Sequence, residues 1–197
     1  MKKKAIKAGL WILSGIFTLV IFIIGYRLYE EKNMPVVSID ETLEYRLFHS
    51  EEELYQHADL IILGHNESEP KKAEVYEDLL AYAVHPIKID RVLKGEIDTD
   101  TITYISPAMV RKNSKGQSYI FSYANCPMLE QEKEYILYLG KSTETYQEMY
   151  GGNVYGPVSF YHGIYSLDPE EVDERVQTIA KNVYRRFEKE IQKYKKD

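Results

Sequence analysis

The sequence predicts a mainly β chain with flanking helices (α+β): an N-terminal transmembrane helix, a small antiparallel barrel-like domain and a C-terminal amphipathic helix. Three observations carry that expectation. Ala8 to Tyr26 is an uncharged, mostly apolar run of 19 residues behind Lys2, Lys3, Lys4 and Lys7. Short strand-like apolar runs separated by glycine- and proline-bearing turns fill the middle of the chain. From Asp168 onward, apolar side chains recur every three or four positions.

The run 8–26, as a helix, is about 28 Å long, close to the thickness of a bilayer's hydrocarbon core. Trp11 near one end and Tyr26, Arg27 and Tyr29 at the other suit the headgroup levels. A cleaved signal peptide is the alternative. Its apolar stretch is normally shorter and ends in a small-x-small site, whereas here Tyr26, Arg27, Leu28, Tyr29 and Glu30 follow Gly25. The lysines ahead of the span predict a cytoplasmic N-terminus, with residues from about 31 onward on the outer side of a cell membrane. The expected division is residues 1–30 as lysines and single-pass anchor, 31–49 as linker and short strands, 50–167 as the β domain and 168–197 as the C-terminal helix.

The net charge of −6 averages two unlike parts: residues 1–30 carry five bases and one acid, and residues 31–197 carry 20 bases and 30 acids, a net −10. An acidic outer domain has no long-range attraction for nucleic acid, so no nucleic-acid partner is expected. One cysteine, Cys126, excludes an intramolecular disulfide and any zinc site of two or more thiolates.

Within the β domain, Val36–Ile39 and Thr42–Phe48 read as short strands. Ser50 followed by Glu51, Glu52 and Glu53 is a capping-box signature that predicts a helix over about 51–57. Asp59 then precedes Leu60, Ile61, Ile62 and Leu63, a compact buried strand ended by Gly64, with a polar loop over 66–72. Asp59 is expected to cap the turn from the helix.

A longer strand is expected over about Leu80–Val92, its drier set being Ala83, His85, Ile87 and Ile89, with Pro86 at a bulge or edge. Gly95 turns it with positive φ into Thr101–Ser106. An exposed loop over 111–117 follows, and then strand-like runs at Tyr119–Tyr123, Glu134–Leu139 and Val158–Tyr165. Asp168 as N-cap, Pro169 at the first position and Glu171 predict the start of the last helix. Its apolar face, from Val172 through Val176, Ile179, Val183, Phe187 and Ile191 to Tyr194, packs on its own domain or pairs with another chain as a coiled coil.

The succession Ala58-Asp59-Leu60-Ile61-Ile62-Leu63-Gly64, Val92-Leu93-Lys94-Gly95, Pro127-Met128-Leu129 and Glu134-Tyr135-Ile136-Leu137-Tyr138-Leu139 resembles a group of uncharacterised membrane-anchored extracellular proteins of Gram-positive bacteria. The resemblance covers about residues 50–165 and implies an OB-like barrel similar to netrin and TIMP modules. The cysteines by which TIMP modules chelate a protease zinc are absent, so that inhibitory chemistry is not implied.

Catalytic groupings are sparse. His49, His57, His65, His85 and His162 are scattered without a metal-ligand spacing, and no glycine-rich phosphate loop or nucleophile elbow occurs. His65, Glu67 and Glu69 form an acidic loop that either binds a divalent ion weakly or is simply solvated. Cys126 is either a lone structural thiol or a nucleophile awaiting a histidine. No catalytic residue, metal site or cofactor is therefore expected.

Tyr146, Tyr150, Tyr155 and Tyr161, interleaved with Gly151, Gly152, Gly156 and Gly163, are the candidate ligand-binding residues. Tyrosine offers a flat apolar face and a polar tip to a sugar or peptide, although half-buried strand positions also favour it. The expected function is a non-catalytic binding module of the cell envelope, its partners the bilayer through residues 8–26 and an envelope protein or cell-wall polymer. The alternatives are a cell-surface enzyme or enzyme regulator, and a carbohydrate binder acting through the tyrosine segment.

Overall fold

The computed structural model describes residues 15–26, 29, 36–39, 48–67, 71–72, 83–123, 126–168 and 177–196. The expected segments 8–14, 42–47, 68–70, 80–82 and 169–176, with the capping residues Pro169 and Glu171, lie outside the described residues. The chain divides into two compact units, Met1–Pro35 with Lys112–Tyr119, and Val36–Arg111 with Ile120–Asp197.

In the first unit, residues 15–26 form a helix, α1, whose every residue is exposed. Among the described residues no helix is long and apolar enough to cross a membrane. This unit also contains residues 113–117, the loop of a hairpin.

The second unit is α+β, built on a closed five-stranded mixed barrel. Its strands are β2 (Leu60–Asn66), β4 (Ala83–Lys94), β5 (Thr101–Ser106), β8 (Glu134–Lys141) and β9 (Val154–Pro157). The ring runs β8, β2, β4, β5, β9 and back to β8. Four pairings are antiparallel and one, β5 with β9, is parallel. The expected all-antiparallel barrel is therefore corrected, and the reason is topological. Directions cannot alternate around a closed ring with an odd number of strands, so at least one neighbouring pair must run the same way.

Strands β3 (Lys71–Lys72) and β10 (Ile164–Ser166) extend the sheet by pairing with β4 and β8. A second sheet orders β1 (Val36–Ile39), β7 (Ser118–Tyr123) and β6 (Ala108–Lys112), with β1 parallel to β7. Helices α2 (Glu51–His57), α3 (Glu144–Met149), α4 (Gln177–Arg186) and α5 (Glu188–Tyr194) complete the described elements.

The Leu60–Leu63 run is continuously apolar because β2 is buried on both faces. Leu60 and Ile62 join Ile87, Ile102, Tyr104 and Leu137 in one core, inside the barrel. Ile61 and Leu63 join Leu54, Ile136, Tyr138, Ile179 and Val183 in the other, between barrel wall and helices. β2 does not end at Gly64 but passes through it. The register with β4 shifts at Leu63/Gly64, and a Cβ there would lie 2.5 Å from the Lys88 carbonyl oxygen. Glycine allows the close approach rather than stopping the strand.

Pro86 sits in a strand with neighbours on both sides. The β3 pairing reaches Val84 and the β2 pairing begins at Ile87, so the missing N–H falls in the gap between two partners. Gly95 has φ +86°, as its turn requires.

Helix α2 begins as its sequence predicts, Glu53 N–H donating to Ser50 Oγ at 3.1 Å. The Glu53 carboxylate, however, accepts from the His49 N–H at 3.1 Å, one residue before the expected donor. Its C-terminus is closed by Lys94, whose ammonium donates to the carbonyls of Tyr55 (2.5 Å) and Ala58 (2.6 Å), where the helix dipole favours a cation. Asp59 does not cap this helix; it accepts the Lys141 N–H at 2.8 Å and so ties β2 to β8.

Two further expectations are corrected. Val158–Tyr165 is not one strand. β9 pairs with β8 up to Leu139↔Pro157, residues 158–163 make a turn whose two ends both bond the Tyr138 backbone, and β10 resumes at Leu137↔Ile164. The C-terminal helix is interrupted at Phe187, whose buried ring meets Tyr138 at 6.3 Å between centroids.

The helix layer is keyed to the barrel by Glu51, only 6% exposed. Its Oε1 accepts from Arg186 Nε at 2.6 Å and from the Tyr138 hydroxyl at 2.9 Å. Arg186 also pairs with Glu52 and stacks over the Tyr55 ring at 4.1 Å. Arg186→Ala would leave the buried carboxylate with one donor fewer. Because Arg186 is itself partly exposed, a loss of about 2 kcal/mol is expected from urea unfolding of the full chain. Arg186→Lys should restore only part of it, since an ammonium cannot span both carboxylates and the ring as a guanidinium does.

Candidate functional site

The tyrosine and glycine segment is distributed over three elements. Tyr146 lies on α3 and Tyr150 at its C-cap, both half-buried, in the loop joining the fourth and fifth barrel strands. Tyr155 is on β9 at 7% exposure, inside the barrel core, so it does not belong to an accessible ledge. Tyr161 is half-buried in the 158–163 loop, its ring 6.4 Å from that of His162.

The α3 loop is held by Gln147, a residue the sequence reading passed over. Its side-chain amide donates to the carbonyls of Val154 (2.6 Å) and Ser142 (3.2 Å) and accepts the Val154 N–H at 3.1 Å. Gly151, Gly152 and Asn153 follow in succession with positive φ, which brings the chain back into β9. No residue of α3 is buried, so its tyrosines are presented on a fixed surface element.

A second group assembles where β2, β4, β8 and α5 meet. His65 Nδ1 lies 2.8 Å from Asp90 Oδ2, and the Tyr194 hydroxyl donates to Glu134 Oε1 at 2.6 Å. The sequence offered His65 with Glu67 and Glu69, but His65 Nε2 is 4.0 Å from Glu67 and the short contact is with Asp90, 25 positions away. Glu69 lies outside the described residues. Among the described residues no group of three or more histidine, cysteine or acidic side chains is arranged to hold a metal ion. Alternation along β4 could have flagged Asp90, but Tyr194 comes from another element and carried no local signal.

An open cleft between α2 and α4 is lined by Ser50, Glu51, Glu52, Asn182, Arg185 and Arg186. Arg186 pairs with both glutamates, and Arg185 donates to Asn182 at 3.0 Å. The charges are matched within the cleft, which makes it a helix clamp more than a receiver of anions.

The barrel interior carries a third polar group. Asn66, His85 and Tyr104 are each 0% exposed, with Asn66 Nδ2 3.2 Å from His85 Nδ1. His85 Nε2, Asn66 Oδ1 and the Tyr104 hydroxyl have no hydrogen-bond partner. Burial pushes the Tyr104 phenol and the Cys126 thiol well above their usual ranges. A thiol so held is a poor nucleophile, and Cys126 packs as a small apolar side chain.

Burial lowers the pKa of His85 from its ordinary 6.5 to about 4. The folded chain therefore binds this proton less readily than the unfolded one, so the neutral form's contribution is complete above pH 6.5 and is lost as pH falls toward 4. Between neutral pH and the acid end of that window the loss amounts to about 2 to 3 kcal/mol. His85→Gln should remove that portion, giving a flatter dependence of the urea midpoint on pH. A midpoint profile identical to that of the unaltered chain would exclude His85 as the source.

No protein-family model matches this chain, and no curated protein matches its sequence.

Proposed function

We propose that this chain is a membrane-anchored, non-catalytic binding module of the cell envelope, with its acidic barrel domain on the outer side. The observation that carries the reading is the apolar sheath of α1. Its large apolar side chains are exposed all round, from 45% at Val20 to 73% at Phe22. A helix apolar on every face suits lipid and is poorly suited to water. The four lysines ahead of it, against the mixed Arg27, Glu30, Glu31 and Lys32 that follow it, agree with an N-terminus in the cytoplasm.

We read the barrel as OB-like. Numbered 1 to 5 along the chain, its strands follow the ring order 1-2-3-5-4-1, with strands 3 and 5 parallel. OB barrels bind oligosaccharides and oligonucleotides through the face of strands 2 and 3 and the loops joining strands 1 to 2 and 4 to 5. α3, with Tyr146 and Tyr150, occupies the 4-to-5 loop here. That observation favours a cell-wall polymer as ligand, since the domain's acidity disfavours nucleic acid.

Protease treatment of intact cells is expected to remove the domain beyond residue 31 and to spare the anchor; protection of the domain would overturn the proposed topology. The double variant Tyr146→Ala, Tyr150→Ala should weaken retention on purified cell-wall polymer about tenfold while leaving the unfolding midpoint nearly unchanged. Undiminished retention would remove the tyrosine reading and leave the anchor reading standing.

A further inference from the structure

The segment 101–129 carries Arg111, Lys112 and Lys115 and no aspartate or glutamate, although residues 31–197 as a whole have a net charge of −10. Residues 112–117 are all exposed. Arg111 is engaged, its guanidinium lying 4.1 Å from the centre of the Phe121 ring, which leaves Lys112 and Lys115 as the cations of the hairpin tip. The tip is a well-defined turn. Asn113 Oδ1 accepts the N–H groups of Lys115 (2.9 Å) and Gln117 (3.0 Å), Asn113 Nδ2 donates to Gln117 Oε1 (2.9 Å), and Gly116 has φ +79°.

Register fixes the end of the sheet at which this tip lies. β1 pairs in parallel with β7 from Val36↔Ile120 to Ile39↔Tyr123. The start of β1, where the chain arrives from residue 35, and the start of β7, where it leaves the tip, are therefore at the same end of the three-stranded sheet. The tip and α1 also belong to one compact unit, Met1–Pro35 with Lys112–Tyr119. Only residues 27–35 intervene between the end of α1 and β1.

We propose that Lys112 and Lys115 form a contact for the headgroups of anionic phospholipids, at the end of the hairpin where the chain leaves the membrane. The inference rests on the anchor reading: a bilayer holding α1 has its headgroup layer beside the residues that follow that helix. Ammonium groups at such a surface gain attraction from anionic lipid that decays within about one Debye length, roughly 8 Å at physiological salt.

The test uses the full chain reconstituted in phosphatidylcholine vesicles with or without phosphatidylglycerol, with a fluorophore on Ser114→Cys and a spin label on a minor fraction of lipid headgroups. Cys126 is buried and does not compete for the label. Quenching is expected to be about twofold stronger in the anionic vesicles and to fall to the neutral-lipid level at high salt or in the double variant Lys112→Glu, Lys115→Glu. Equal quenching in both lipids, in protein that floats with the vesicles, overturns the tip contact and leaves the anchor intact. Charge-dependent quenching that survives the double variant overturns the assignment to these lysines. Protein that fails to float with either vesicle overturns the anchor reading and this inference with it.

Discussion

A carboxylate taken out of water must be compensated, and the Glu51 carboxylate is compensated from two directions at once. Arg186 reaches it from α4 and the Tyr138 hydroxyl from the barrel wall. α2 has seven residues, too few to persist as an isolated helix, so its existence depends on what holds it. The Arg186 and Tyr138 contacts hold its first turn and the Lys94 ammonium holds its last carbonyls. Both cations lie over the Tyr55 ring, Arg186 at 4.1 Å and Lys94 at 4.8 Å from its centre. The outer core of Leu54, Ile61, Tyr138, Ile179 and Val183 forms beneath this clamp. A short helix, a distant arginine and a tyrosine on β8 thus depend on one another for the layer that covers the barrel.

Local chemistry was legible in the sequence, and long-range pairing was not. Ser50 with Glu53 marked the start of α2, Gly95 marked a left-handed turn, and the Thr101–Ser106 strand falls where its alternation put it. Gly64 misled because a glycine that ends a strand and one that lets a neighbouring carbonyl approach look alike in sequence. Asp59 misled similarly: an acid after a helix suggests a local cap, while its partner is an amide 82 positions away. The parallel β5–β9 seam has no sequence signature. It follows from closure with five strands, which becomes apparent only when the ring is counted.

The tyrosines show the same division. Their density was visible, but what each one does depends on the far end of the side chain. Tyr184 donates to the Ser166 carbonyl at 2.6 Å, Tyr194 to Glu134, and Tyr138 to Glu51, so Tyr138 in the core and the half-buried Tyr184 and Tyr194 packed against it all have their hydroxyls tied down. Burial pushes their phenols up, with Glu51 adding to it at Tyr138, Glu134 at Tyr194 and the Asp168 charge at Tyr184, whose phenol rises to about 12. Of the four tyrosines singled out for binding, Tyr155 belongs with the core set and Tyr146 and Tyr150 with the surface of α3. Period-two alternation cannot make that separation where the chain leaves a strand for a helix-bearing loop.

The seam that closes the barrel is its shortest ladder. β5 and β9 share two register pairs, Thr103↔Val154 and Tyr104↔Tyr155, whereas β2 with β8 and β4 with β5 share six each. Free energy of local opening scales with what must be broken, so fluctuations that breach the wall begin there and spread last to β2, which is buried on both faces. Such a breach admits water to an interior that contains Asn66, His85 and Tyr104 with polar atoms unpartnered in the closed state. The barrel therefore has a built-in grain: a weak line between its third and fifth strands, along which solvent and amide exchange reach the core before the rest of the fold yields.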